Sequence, residues 1–207
     1  MLPSRTIACA AVMLLLLSQT SCVYSVNPLT DPEKCNIDER LIGVWKEAGK
    51  DDVSYVFIGR PWDVKGRPDG LMVMHSTTFN ADHELNWIET PSYFFSVKVG
   101  EGQYLQCVKL SSSKKLTEWD GAGKRLYQFW KYQIVADRLT LWMMDQDAAK
   151  KAIEDGVLKG TVQKKKTNIT PEVTLTEPTE GLRRYLASDR SKALFPEQTK
   201  ITLQRVK

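Results

Sequence analysis

The sequence predicts an all-β protein: an antiparallel up-and-down barrel of about eight or nine strands, with one or two short helices packed against it. Three observations lead there. From Leu41 onward, short runs alternate apolar and polar residues with a period of two. Gly, Asp, Asn or Pro separates the runs. Only two stretches carry a helical period instead. A sandwich would use the same strands, but the order of elements favours a barrel: a long meander, a packed helix, then a closing strand. Closure also removes the exposed edges that an open sheet of this length would leave.

The elements follow in order. Leu41–Trp45 opens the first strand. Val53, Tyr55 and Phe57 share one face of the next. Leu71, Val73, His75, Thr77 and Phe79 share a face of the third, with Met72 and Met74 opposite. Tyr93, Phe95, Val97 and Val99 alternate with Phe94, Ser96 and Lys98, and Tyr104, Gln106, Val108 and Leu110 continue the pattern. Two long runs, Leu126–Ala136 and Arg138–Asp145, meet at the tight Ala136-Asp137 turn. Asp147 is placed to cap a helix over Ala148–Asp155, with Ala149, Ala152 and Ile153 on one stripe and Gly156 past its end. Thr179 is placed to cap a second helix over Glu180–Ser188, where Leu182, Tyr185 and Leu186 stand at i, i+3, i+4. Lys200–Lys207 returns to strand.

The N-terminus carries an address. Arg5 is the only charge in residues 1–21 and precedes an apolar run from Ile7 to Leu17, then Ser18-Gln-Thr-Ser21 and Cys22. A basic start, a short apolar core and a small-residue exit describe an export signal. The cysteine makes it resemble a bacterial lipoprotein signal, which implies that Cys22 becomes the acylated first residue of a lipid-anchored envelope protein facing the periplasm or exterior. Val23, rather than Asp, after the cysteine favours the outer membrane over the inner one by that resemblance. The alternative is an ordinary cleaved signal with Cys22 left as a thiol. Residues 22–40, polar and with two prolines, read as a tether, and residues 41–207 as one globular domain.

Composition narrows the function. Without residues 1–21 the chain has 28 Lys and Arg against 25 Asp and Glu, too balanced to imply a nucleic-acid partner. Cys35 and Cys107 form an even pair in an oxidising compartment, but sequence does not place them within bonding distance. Two cysteines and two histidines in no ligand spacing give no metal signature, and no cofactor is implied. His75 reads as a mid-strand residue and His83 as a turn residue. With no nucleophile motif and no phosphate-cradling loop, the reading is of a protein without catalysis of its own.

Gly43-Val-Trp45 at the start of the first strand resembles the opening motif of the lipocalin or calycin superfamily. That resemblance implies a tryptophan closing one barrel end beneath an Arg or Lys from the last strand. Arg205 is the matching residue, in phase with Ile201 and Leu203. The overall layout also resembles small lipid-anchored proteins of unknown function from environmental bacteria.

The chain holds six tryptophans, seven tyrosines and six phenylalanines. Most are expected in the core. The faces bearing Tyr55, Phe57, Tyr93, Phe95 and Trp130 are the bulkiest runs of consistent phase and are the candidate lining of a cavity for a hydrophobic or amphipathic small molecule. The alternative is a packed barrel serving as a structural or interaction module of the envelope.

Overall fold

Alternation along the strands sorts the apolar residues into two sets, and the computed structural model shows that two cores share one wall. It describes residues 23–47, 53–79, 85–88, 91–110, 116–121, 125–163 and 172–207, so the expected export signal, Cys22 and His83 lie outside the described residues. The strands are β1 (Val23–Ser25), β2 (Gly43–Glu47), β3 (Val53–Gly59), β4 (Met72–Phe79), β5 (Leu85–Ile88), β6 (Ser92–Val99), β7 (Gly102–Lys109), β8 (Leu126–Val135), β9 (Arg138–Met143), β10 (Gly160–Gln163), β11 (Glu172–Leu175) and β12 (Lys200–Arg205). Eight of them, β2, β3, β4, β6, β7, β8, β9 and β12, pair antiparallel in that order, and β12 returns to β2 to close the barrel.

Strand β8 belongs to both layers. Its C-terminal half pairs with β9 from Trp130↔Met143 to Val135↔Arg138. Its N-terminal end pairs instead with β1, through Ser25↔Tyr127, and β1 pairs in parallel with β11, which carries β10. The sheet therefore forks beside Trp130. One branch closes the barrel and the other lies outside it.

The inner set is Leu41, Trp45, Ile58, Met72, Phe94, Leu105, Cys107, Tyr132, Leu139, Leu141 and Leu203. The outer set covers the other face of β6, β7 and β8. Tyr93, Phe95, Val97, Tyr104, Val108, Tyr127 and Phe129 pack there against Val23 and Val173 and against two helices, α1 (Gln146–Glu154) and α2 (Thr179–Leu186).

Both helices start earlier than their spacing predicts. Asp145, not Asp147, caps α1: its carboxylate accepts the Ala148 N–H at 2.8 Å. Asp147 falls in the first turn, where a negative charge still suits the helix dipole. Pro178 precedes α2, and Thr179 makes no cap. Its hydroxyl donates to Pro28 O at 2.7 Å, a partner 151 residues away that no local rule anticipates.

The expectation of a free tether over residues 22–40 gives way for the same reason. Val23, Leu29, Pro32 and Cys35 are buried, and the segment straps the outer core. Its backbone groups are met from the fold: the Gln106 side chain accepts the N–H groups of Leu29 (2.6 Å) and Thr30 (3.2 Å) and donates to Thr30 O (3.1 Å). Arg183 donates to Leu29 O and to Thr30 Oγ1. A polar composition conceals a buried strap whose polar groups are satisfied.

Gln106 is fully buried, and removing its amide leaves three strap groups unmet. Gln106→Ala is expected to lower unfolding stability by about 2–4 kcal/mol. Urea denaturation checks this. A loss within about 0.5 kcal/mol would mean that the strap is not part of the cooperative fold.

Candidate functional site

The strands alternate direction around the barrel, so its two ends are chemically distinct. One end gathers Gly43, Gly59, Met72, Val99, Gly102, Val135, Arg138 and Arg205. The 3-10 turn Glu39–Leu41 lies across this end, with Leu41 fully buried against Trp45. Trp45 is itself fully buried, and its indole Nε1–H donates to Leu41 O at 2.8 Å.

Arg205 pairs opposite Trp45 across the β12–β2 ladder. Its guanidinium carbon lies 4.2 Å from the ring centroid. One terminal nitrogen donates to Ile42 O at 2.8 Å and the other to Arg40 O. Gly43 makes room for it. At φ +142° a Cβ would meet Arg205 Nη1 at 2.6 Å, so a side chain there is excluded both by backbone conformation and by the cation. A cation–π contact contributes about 0.5–2 kcal/mol, and a hydrogen bond from a charged donor about 1.5–3 kcal/mol.

A second link seals the same end. The Asp38 carboxylate accepts from the Tyr132 hydroxyl at 2.9 Å and from the Arg40 guanidinium, and Ser96 joins the barrel wall to the Asn36 and Asp38 backbone. Burial alone would raise the Asp38 pKa, but the hydrogen bonds from Arg40 and Tyr132 outweigh it and hold the group below the usual carboxylate value. Burial and then the adjacent Asp38 charge push the Tyr132 phenol up, so it stays a donor.

The opposite end holds the candidate site. By strand phase, Ser54, Val56, Met74, Ser76, Thr78, Gln128, Trp130, Met143 and Ile201 face the interior there. Val56, Met74, Trp130 and Ile201 border the inner core yet stay only partly buried. Ser54 Oγ and Thr78 Oγ1 are 3.1 Å apart at the rim. The floor is filled by Trp45, Phe94 and Leu105, all fully buried. From Met74 to Thr78 the wall spans four residue steps, about 10 Å once strand tilt is allowed for. The described side chains outline a shallow cup, with an apolar waist above the filled floor and hydroxyl and amide groups beyond it; residues 48–52, 80–84, 89–90, 111–115 and 122–124, which join strands at this end, lie outside the described residues.

The five residues expected to line a cavity separate on this geometry. Trp130 is on the inner face. Tyr93 and Phe95 point the other way, into the outer core, where the Phe95 ring meets Trp119 edge-on at 5.5 Å. Tyr55 and Phe57 are out of phase with Val56 and Ile58 and lie on the outer surface, Tyr55 against Phe79 and Phe57 44% exposed. Bulk did not identify the inner face because β6 is aromatic on both sides. On β4 the inner pair is Met72 and Met74, the two residues whose bulk opposite Val73 and His75 blurs its alternation in sequence. Cys35 and Cys107 are both free and buried, in the outer and inner cores, with the barrel wall between them, and burial pushes each thiol up to about 12. His75 pairs with Phe57 on the outer face. Among the described residues no group of three His, Cys, Asp or Glu could hold a metal ion.

Arg205→Ala is expected to lower stability by about 2–4 kcal/mol in urea unfolding, with Arg205→Lys recovering less than half, because lysine lacks the planar fork. Gly43→Ala is expected to cost about 2 kcal/mol through the same guanidinium. A loss below about 0.5 kcal/mol for Arg205→Ala would contradict the lock.

Asp38 adds a pH signature. A carboxylate held below its unfolded pKa contributes fully above pH 4 or so, and that contribution is lost as pH falls through the lower folded value. The stability difference between the natural chain and Asp38→Asn is therefore expected to be flat from about pH 5 to 7 and to shrink on further acidification. A difference that grows in acid is the opposite sign.

Comparison of the chain with family models, curated proteins and solved structures finds no match; the closed eight-stranded antiparallel barrel is compatible with a calycin-like fold.

Proposed function

We propose that this chain is an exported, lipid-anchored protein of the cell envelope whose barrel binds a hydrophobic or amphipathic small molecule at its open end. The observation that carries the reading is the cup: Val56, Met74, Trp130 and Ile201 remain partly exposed above a filled floor, under a rim of Ser54, Ser76, Thr78 and Gln128. Barrel mouths with an apolar wall and a few polar groups are common small-molecule sites. A wall about 10 Å deep suits a short alkyl or aromatic group with a polar head better than a fully enclosed long chain. The export signal and Cys22 support the anchor. Val23, directly after Cys22, enters the sheet, so acylation there would hold the domain against the membrane with no spacer.

A second reading, a packed envelope interaction module, is favoured by the filled floor. It requires that nothing enters the cup.

Tryptophan fluorescence titrated with octanoate and with a short alkyl glycoside separates the two. The binding reading expects saturable change at micromolar to millimolar ligand, weakened about tenfold or more by Val56→Asp, which places a charge in the waist. No saturable change, with the fold intact by circular dichroism, leaves only the interaction role. Independently, Cys22→Ala is expected to abolish lipid labelling and release the protein from membranes. A mature N-terminus found by mass spectrometry at an unmodified residue other than Cys22 would remove the anchor from the account.

A further inference from the structure

At the lip of the closed end, the strap stands off from the barrel and leaves a groove of about 460 Å³ between residues 34–38, the ends of β6, β7 and β8, and α2. Three cations line it, each from a different element: Lys34 from the strap, Lys98 from β6 and Arg183 from α2. Sequence neighbourhood does not explain their convergence. The lining includes one carboxylate, Asp38, which is already engaged by Arg40 and Tyr132.

The cations are largely unspent. Lys34 has Asp31 at 3.9 Å on the exposed rim, a pair of little strength. Lys98 makes no ion pair or hydrogen bond among the described residues. Arg183 uses Nη1 for both of its bonds to the strap, which leaves the N–H groups of Nε and Nη2 without a protein partner among the described residues. Like charges in a concave surface reinforce one another's field and concentrate counter-charge there. A guanidinium edge with free donors matches the two oxygens of a carboxylate or phosphate.

We propose that this groove binds a small oxyanion, a phosphate or carboxylate group, between Lys98 and Arg183. The site is separate from the cup and does not depend on the cup having a ligand. The same chemistry is offered by a free solute and by the headgroup of an anionic lipid.

Amide chemical shifts of the mature chain are followed against inorganic phosphate and citrate in one arm. In the other, sedimentation is measured with phosphatidylcholine vesicles, with and without phosphatidylglycerol. Saturable shifts clustered at residues 34–38, 96–98 and 183 support a free solute. Co-sedimentation only with the anionic vesicles, without shifts from phosphate or citrate, supports a lipid headgroup. Because Arg183 also holds the strap, the exposed residues carry the mutational test: Lys98→Gln is expected to weaken binding about tenfold, and Lys98→Gln with Lys34→Gln more than that. Absence of saturable response in both arms, or unchanged affinity in the double variant, overturns the proposal.

Discussion

One guanidinium holds the closed end of this fold together. Arg205 is on the last strand, yet it covers Trp45 on the first barrel strand and bonds the carbonyls of Arg40 and Ile42 in the turn between strap and barrel. Three parts of the chain that are far apart in sequence meet at one planar cation. The indole beneath is fully buried and bonded through Nε1 to Leu41 O, so the floor of the barrel and its closing ladder are a single unit. An aromatic ring of this size buries about 150–250 Å², and that burial is realised only if the end is sealed. Gly43 is the residue that lets the cation approach.

The forked sheet extends the same dependence outward. Because β8 gives one half of its edge to β9 and the other to β1, the barrel wall is also the inner wall of a second core. The strap crosses that core and ends in the 3-10 turn under Trp45, held on the way by Gln106 and Arg183. Floor, strap and outer layer are therefore linked through shared side chains and backbone bonds.

Much of this was legible in the sequence, for identifiable reasons. Period-two runs and their turn residues reveal the barrel strands, and the closed end is implied by the resemblance that Gly43-Val-Trp45 carries, with Arg205 in phase to meet it. The inner face was not legible where both faces are apolar: Tyr93 and Phe95 outweigh Phe94 in bulk, and Val56 and Ile58 are less conspicuous than Tyr55 and Phe57. The strap was hidden by composition. Its backbone partners, Gln106, Thr179 and Arg183, lie 76 to 154 residues away, beyond any local rule. The cationic groove was invisible for the same reason, since Lys34, Lys98 and Arg183 share no sequence window.

Whether a ligand enters the proposed cup above the sealed floor is tested most directly by the position of a bound chain end. An octanoate derivative carrying a nitroxide at its tail reports that position through paramagnetic broadening. The account predicts broadening of the Trp130 indole N–H and the Met74 and Ile201 methyl signals, with the Trp45 indole N–H spared. Broadening centred on the outer-face residues Phe57 and Tyr55, with Trp130 unaffected, would contradict it.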